Sequence, residues 1–211
     1  LTRGGFTLNQ YEIAVLYHPD LEVDLSKAEE KITKIIKDAG CTMKDINAVA
    51  VSNGPGSYTG LRIGLSAAKG LCYALQIPLI TVGTLQMMAQ GVKNSEANLF
   101  CPMIDARRME VFTALYDSEG NEVMKPAALI IDENSFAGEL KKNRILFFGN
   151  GAGKFKDICS HSNVIFEDIE ADASHLAKLS QQKFAAGDFA DVAYSEPHYV
   201  KEFFTTYKKA E

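Results

Sequence analysis

The chain has 211 residues, 46% of them hydrophobic and 23% charged, which fits a globular protein of one large domain or two small ones. A formal net charge of −5 argues against a protein that grips nucleic acid by itself through a broad basic face, because phosphate contacts need clustered Lys and Arg. Cys41, Cys72, Cys101 and Cys159 form no CxxC pair, so no zinc pattern is present, and they read as reduced structural thiols of a cytoplasmic protein. No apolar run reaches the roughly 18 residues of a membrane span, and no signal-peptide pattern is visible.

In chain order, Tyr11 to Tyr17 (YEIAVLY) alternates and is rich in β-formers, which predicts a strand. HPDLEVD is a turn. Asp24 or Ser26 can cap the next helix, with Glu29 as the capping-box partner of Ser26. Ala28, Ile32, Ile35 and Ile36 recur at helical spacing between Lys27 and Ala39, and Gly40 stops that helix. Ile46 to Ser52 (INAVAVS) is a short apolar strand of the kind buried in a parallel sheet. A glycine turn follows, then a helix from about Thr59 to Leu75, a strand in IPLITV and a helix in TLQMMAQGV.

The rhythm changes near Asn94. LFCPMIDA, MEVFTALYD and AALIID read as three strands, joined by RR and by a SEGN turn. SFAGELKKN is a helix, RILFFGNGA a strand with a glycine end, SHLAKLSQQKFAAGD a helix, and PHYVKEFFTTYKKAE a mixed tail. Each half holds strands followed by alternating helices and strands. That predicts two related α/β lobes, residues 1–95 and 96–211, with the tail able to return to the first lobe.

The glycine turn comprises Gly54, Pro55, Gly56, Ser57, Tyr58 and Thr59. Its glycines permit positive φ and close backbone approach, and Ser57 or Thr59 can cap the helix. An anion can sit at such a helix start. The phosphate fingerprints nevertheless fail: GxxxxGK[ST] lacks its lysine, and GxGxxG finds Thr at position 59. In the helix itself, Gly60, Gly64, Ala68 and Cys72 recur every four residues, beside Ile63, Ala67, Gly70 and Ala74. Small residues at these spacings let another backbone come close, and a glycine inside a helix costs about 1 kcal/mol against alanine. The expectation is a packing or docking helix rather than a ligand turn.

VSNGPGSYTGLRIGLSAAKGLCYAL resembles the signature of the TsaB family, and the resemblance continues in IPLITVGTL, MIDARRMEVFTALYD, FFGNGAGKFKD and EPHYVKEF, over about residues 40 to 205. It implies an α/β fold like that of actin and the sugar kinases, with two duplicated lobes of mixed sheets flanked by helices. It also implies a non-catalytic scaffold or dimerisation subunit of the assembly that makes N6-threonylcarbamoyladenosine at position 37 of tRNA. The implied partners are a TsaD-like transferase, which carries the metal, and a TsaE-like ATPase. tRNA is reached through the complex, and the chain alone forms a homodimer. No intrinsic cofactor is implied; ATP or ADP at the interface with partner subunits is the one nucleotide expectation. On this likeness Gly60, Ile63, Gly64, Ala67, Ala68, Leu71, Cys72 and Leu75 make the partner face, with the helix of residues 27–39 beside it. Family members usually open with a strand, a DTS or ETS turn and a β-hairpin before the first helix; no such tripeptide occurs here, and the first ~40 residues depart from that pattern.

The residues also speak to chemistry of the chain's own. His18, His161, His175 and His198 are too far apart for a helix-borne HxxxH pair. HExxH and GxSxG are missing, so a hydrolase reading would rest on Ser57 with a distant partner. GNGAGK, Gly149 to Lys154, follows an apolar strand but matches neither phosphate pattern and reads as a strand-to-helix turn. Arg107 and Arg108 in DARRMEV belong to a solvated rim or contact tRNA phosphate or an acidic partner. A stand-alone glycoprotease-like hydrolase or nucleotide-binding enzyme of the same fold is the alternative left open.

Overall fold

The computed structural model describes residues 5–8, 11–16, 25–93, 95–169 and 171–201, with side chains from Ile32 onward. His18, Asp24, Lys208 and Lys209, and the side chains of Ser26 and Glu29, lie outside the described residues.

Two mixed sheets form the frame. In the first, β1 (Gly5–Leu8) runs antiparallel to β2 (Tyr11–Leu16), which pairs in parallel with β3 (Ile46–Ser52), and β3 in parallel with β4 (Leu79–Val82). The second has the order β7-β6-β5-β8-β9: β5 (Leu99–Asp105), β6 (Glu110–Asp117) and β7 (Glu122–Ile130) form an antiparallel meander, and β8 (Ile145–Phe148) and β9 (Val164–Phe166) continue in parallel beyond β5. Three parallel strands flanked by an antiparallel one occur in both, so the second sheet repeats the first with one more edge strand.

Helices fill the layers around these sheets. On the first sheet lie α1 (Leu25–Asp38) and α2 (Tyr58–Leu75). Their core joins Ile32 and Ile36 to Val49, Val51, Leu65, Ala68 and Cys72. Between the sheets sit α3 (Thr84–Ala89) and α6 (Ala173–Ala186), whose Leu85, Met87, Met88, Leu176 and Leu179 share a core with Ala48, Ala50, Ile80, Tyr116, Leu146 and Phe148. The far face of the second sheet packs on α4 (Ala137–Leu140) and α5 (Ala152–Lys156) through Leu140, Phe155, Ile145 and Phe147. Alternate residues of β3 and β8 thus enter different cores, which is why both strands are apolar throughout. Although it follows the second sheet in sequence, α6 packs on β2, β3 and β4.

Several expected elements change in extent. The helix expected in SFAGELKKN is one turn long, and the strand read in AALIID belongs to a longer one that begins at Glu122. GNGAGK, read as a strand-to-helix turn, joins β8 to α5 as expected, whereas the short strand β9 lay unread in SNVIFED.

Candidate functional site

The glycine turn is held from both sides. Asn53 N–H donates to the Val82 carbonyl at 3.0 Å, and Thr84 N–H donates to the Gly54 carbonyl at 2.8 Å. The buried hydroxyls of Ser52 and Thr84 meet at 2.6 Å beneath it. Ser57 takes the capping role: its Oγ accepts from the Gly60 N–H at 3.2 Å. No histidine is hydrogen-bonded to that hydroxyl among the described residues. The reason for Gly54 lies elsewhere in the chain. Its φ is +118°, and a Cβ there would stand 2.6 Å from the His198 carbonyl oxygen. The close approach that the turn allows is to the chain's own tail.

That tail is clasped along its length. Ala190 N–H donates to the Leu79 carbonyl at 2.8 Å. Lys69 Nζ donates to the Ala193 and Ser195 carbonyls at 3.0 Å each, and His198 N–H donates to the Asn53 carbonyl at 2.7 Å. Tyr199 packs on Tyr58 with ring centroids 5.3 Å apart, and the Arg62 guanidinium lies 4.8 Å from the Tyr58 ring centre. Lys201 then reaches Glu110 in the second sheet at 2.8 Å.

The helix divides sharply into two faces. Leu65, Ala68 and Cys72 are buried against β3, and a Cβ on Gly64 would touch Val51 Cγ2 at 3.8 Å. Burial pushes the Cys72 thiol up to about 11, so it stays protonated in the core. The expectation that Gly64, Ala68 and Cys72 face a partner is therefore corrected: that stripe brings the helix onto its own sheet. Small side chains there shorten the helix–sheet distance, and a stripe pattern cannot say which surface fills it. Leu71 joins the same core from its edge. Gly60, Ile63, Ala67 and Leu75 lie half-exposed along the flanks of the helix. Arg62, Ser66, Gly70, Tyr73 and Ala74 form the open face, with Tyr73 76% exposed and open space around Gly70. The helical spacing of Arg62, Ser66, Lys69 and Tyr73 marks them as the more polar side of the helix; three of them lie on the open face, while Lys69 turns to the tail carbonyls.

The second glycine turn is filled as well. Gly149 has φ +91°, and a Cβ there would meet the Met103 carbonyl oxygen at 2.5 Å and Met88 Cε at 2.6 Å. Gly151 N–H donates to the same carbonyl at 3.0 Å. Lys154, the lysine of GNGAGK, is engaged by Asp105 at 2.6 Å and by the Glu110 carbonyl at 3.1 Å. That hydrogen bond leads the causes that hold the Asp105 carboxyl below its ordinary value, with the Arg107 N–H and nearby charges helping against desolvation.

His161, His175 and His198 sit on separate elements: His161 Nδ1 accepts from the Asn163 N–H at 3.1 Å, and His175 stands in the first turn of α6. Among the described residues no group of three or more His, Cys, Asp or Glu side chains converges, and no helix is long and apolar enough to cross a membrane.

Comparison with known proteins places these features in a family. The family model described as TsaD, tRNA N6-adenosine threonylcarbamoyltransferase, matches residues 26–210. The tRNA threonylcarbamoyladenosine biosynthesis protein TsaB of Escherichia coli is 32% identical over 183 residues, 81% of this chain and 77% of that one. The protein of the same name from Bacillus subtilis is 27% identical over 83% of this chain and 78% of its own length. Among solved structures, a Pseudomonas aeruginosa protein described as uncharacterized, with similarity to peptidase YEAZ, superposes with a TM-score of 0.72 at 22% identity, covering 85% of each chain. YeaZ from the same organism gives a TM-score of 0.67 at 22% identity over 85% of this chain and 86% of its own. The mixed sheets flanked by helices are those of the actin-like fold expected from the sequence.

Proposed function

We infer the function from one premise: the chain belongs to the TsaB family of tRNA threonylcarbamoyladenosine biosynthesis proteins. On that premise it is an accessory subunit of the assembly that makes this nucleoside in tRNA, and its task is to bind and activate a TsaD-like transferase. It works by differential binding, favouring the partner's productive conformation over the others. A TsaE-like ATPase joins the assembly, and the chain alone pairs with itself. Any ATP or ADP sits where subunits meet.

The observation that carries this reading is the open face of α2. Gly54 and Gly149 abut the chain's own main chain, and Ser57 is spent on capping. What remains presented is Arg62, Ser66, Gly70, Tyr73 and Ala74, small residues between a tyrosine and an arginine on an 18-residue helix. Tyr and Arg are enriched where proteins meet, and small residues admit close contact. Ala67 and Ile63 border this surface.

The test mixes the chain with its cognate TsaD-like subunit. Gly70→Arg and Ala74→Arg place bulk on the open face and abolish association while the isolated variants melt no lower than wild type. Ala68→Arg is the contrasting control: it unfolds the chain, because Ala68 is fully buried. If Gly70→Arg and Ala74→Arg both leave association and tRNA modification intact, α2 is not the docking helix.

A further inference from the structure

The turn between β5 and β6 is made by Arg107 and Arg108, and both occupy the left-handed region, at φ +71° and +51°. Ala106 N–H donates to the Glu110 carbonyl at 3.1 Å, and Glu110 N–H donates to the Arg107 carbonyl at 3.1 Å, closing the turn. Glycine and asparagine suit such positions; arginine gains nothing from that backbone. The other non-glycine residues with positive φ among those described are Gln76 and Phe136, and each has a local reason. Gln76 ends α2, its N–H donating to the Cys72 carbonyl, and Phe136 is buried against Phe147 and Phe155. The two arginines are exposed, and neither guanidinium has a hydrogen bond or salt bridge with the described residues. The carboxylates next to them are taken. Lys154 holds Asp105 at 2.6 Å, and Lys201 holds Glu110 through both oxygens at 2.8 Å. Four cations thus stand around two carboxylates, on a chain whose net charge is −5.

We propose that Arg107 and Arg108 form a contact for the phosphate backbone of the tRNA, and that this contact, rather than the turn, accounts for arginine at both positions. The proposal rests on the reading of the chain as a subunit of a tRNA-modifying assembly. Strain kept at two adjacent exposed residues points to what their side chains do. A guanidinium offers phosphate a planar pair of donors, which suits the RNA backbone. The position fits too. Tyr199 packs on Tyr58 at the start of α2, and two residues later Lys201 binds Glu110 at the base of this hairpin. The tail thus ties the start of α2, on the proposed docking helix, to the base of the hairpin that carries the two arginines.

The test uses the double variant Arg107→Asn with Arg108→Gly, and a second, Arg107→Lys with Arg108→Lys. Asparagine and glycine relax the turn, so the first variant melts about 2–4 °C above wild type if about 1 kcal/mol of strain is released. In the complex with the TsaD-like subunit, an unmodified tRNA transcript is titrated across a salt series. The slope of log affinity against log salt falls by about 2 for the Asn-Gly variant, one for each lost phosphate contact, while partner association is unchanged. The Lys-Lys variant keeps most of that slope. An unchanged slope in the Asn-Gly variant overturns the proposal. Loss of partner association with that variant also overturns it, assigning the tip to an acidic protein surface. If the wild-type chain does not bind the TsaD-like subunit at all, the subunit reading falls and takes the tRNA contact with it, an outcome distinct from an unchanged slope in an intact complex.

Discussion

The two glycine turns follow strands of similar character and look alike in sequence, yet they are closed by different things. At Gly149 the obstacle to a side chain is the Met103 carbonyl of β5, the neighbouring strand of the same sheet. At Gly54 it is the His198 carbonyl, on a tail that arrives from the far end of the chain. Both glycines are packing devices, each at a point where the main chain of another segment comes close. The difference lies in what can yield: a central strand cannot move, whereas a tail can.

The largest effect is therefore expected at the immobile site. Gly149→Ala forces a Cβ to within 2.5 Å of a β5 carbonyl, at a φ that L-residues avoid. A loss of about 3 kcal/mol or more follows, combining backbone strain and overpacking. Thermal unfolding followed by circular dichroism measures it; a drop of less than about 3 °C would mean that β5 gives way as easily as a tail.

Gly54→Ala comes next, at a cost of about 2 kcal/mol. Its signature is local. Amide exchange of residues 193–199 rises, because the His198 N–H loses its Asn53 acceptor, while the central turns of α2 keep their protection. Global loss of protection, with no selective effect on the tail, would remove the distinction between the two turns.

A third glycine tests the same rule with a side chain as the obstacle. A Cβ on Gly91 would stand 2.5 Å from His175 Cε1. The imidazole can shift, so Gly91→Ala costs about 1 kcal/mol, less than either backbone collision. His175 also gives this contact a pH dependence. Its Nδ1 is buried without a hydrogen-bond partner. Burial, the leading cause, lowers its pKa below 6.5; Lys93 adds to this and Asp172 opposes it. The unfolded chain therefore takes the proton first. The stability held above about pH 6.5 declines as the pH falls toward the lower folded value. Asp105 and Asp172, whose pKa values are lowered, lose their contribution only below about 3.8, a separate window. Urea midpoints between pH 7.5 and 5.5 measure the His175 part, and His175→Gln flattens that slope. A slope unaltered by the substitution would place the titrating group elsewhere.

Much of this frame could be read beforehand because its signals are local. Strand β3 shows as an apolar run and α2 as a glycine turn followed by a helical stripe, and both extend almost as their residues indicate. The short strand β9 was missed because tertiary pairing, not propensity, creates it: three residues added in parallel to β8. The site was legible in part. Small residues at a spacing of four do announce close packing, but the pattern is the same whether the neighbour is another subunit or Val51 of the next strand. The contact that explains Gly54 joins residues 54 and 198, and no local pattern carries it. Nor does composition reveal that Arg107 and Arg108 adopt positive φ, since arginine is a poor predictor of that conformation.

The smallest expected effect sharpens the contrast most, because it concerns a glycine with no obstacle at all. Gly70 lies in the interior of α2 with ordinary helical φ and nothing within 4 Å of the position a Cβ would take. Packing within the chain gives no reason for it, and alanine there stabilises the isolated protein by about 0.5–1 kcal/mol through helix propensity and reduced freedom of the unfolded chain. That is a rise of about 1–4 °C in melting temperature for a chain of this size. If a partner's backbone lies against Gly70, the same methyl group weakens association even as it strengthens the fold. Opposite signs in the two measurements would separate Gly70 from Gly54 and Gly149, whose substitutions harm the isolated chain first. Equal association of the Gly70→Ala variant and wild type would mean that any partner on this face stands off by at least a methyl group.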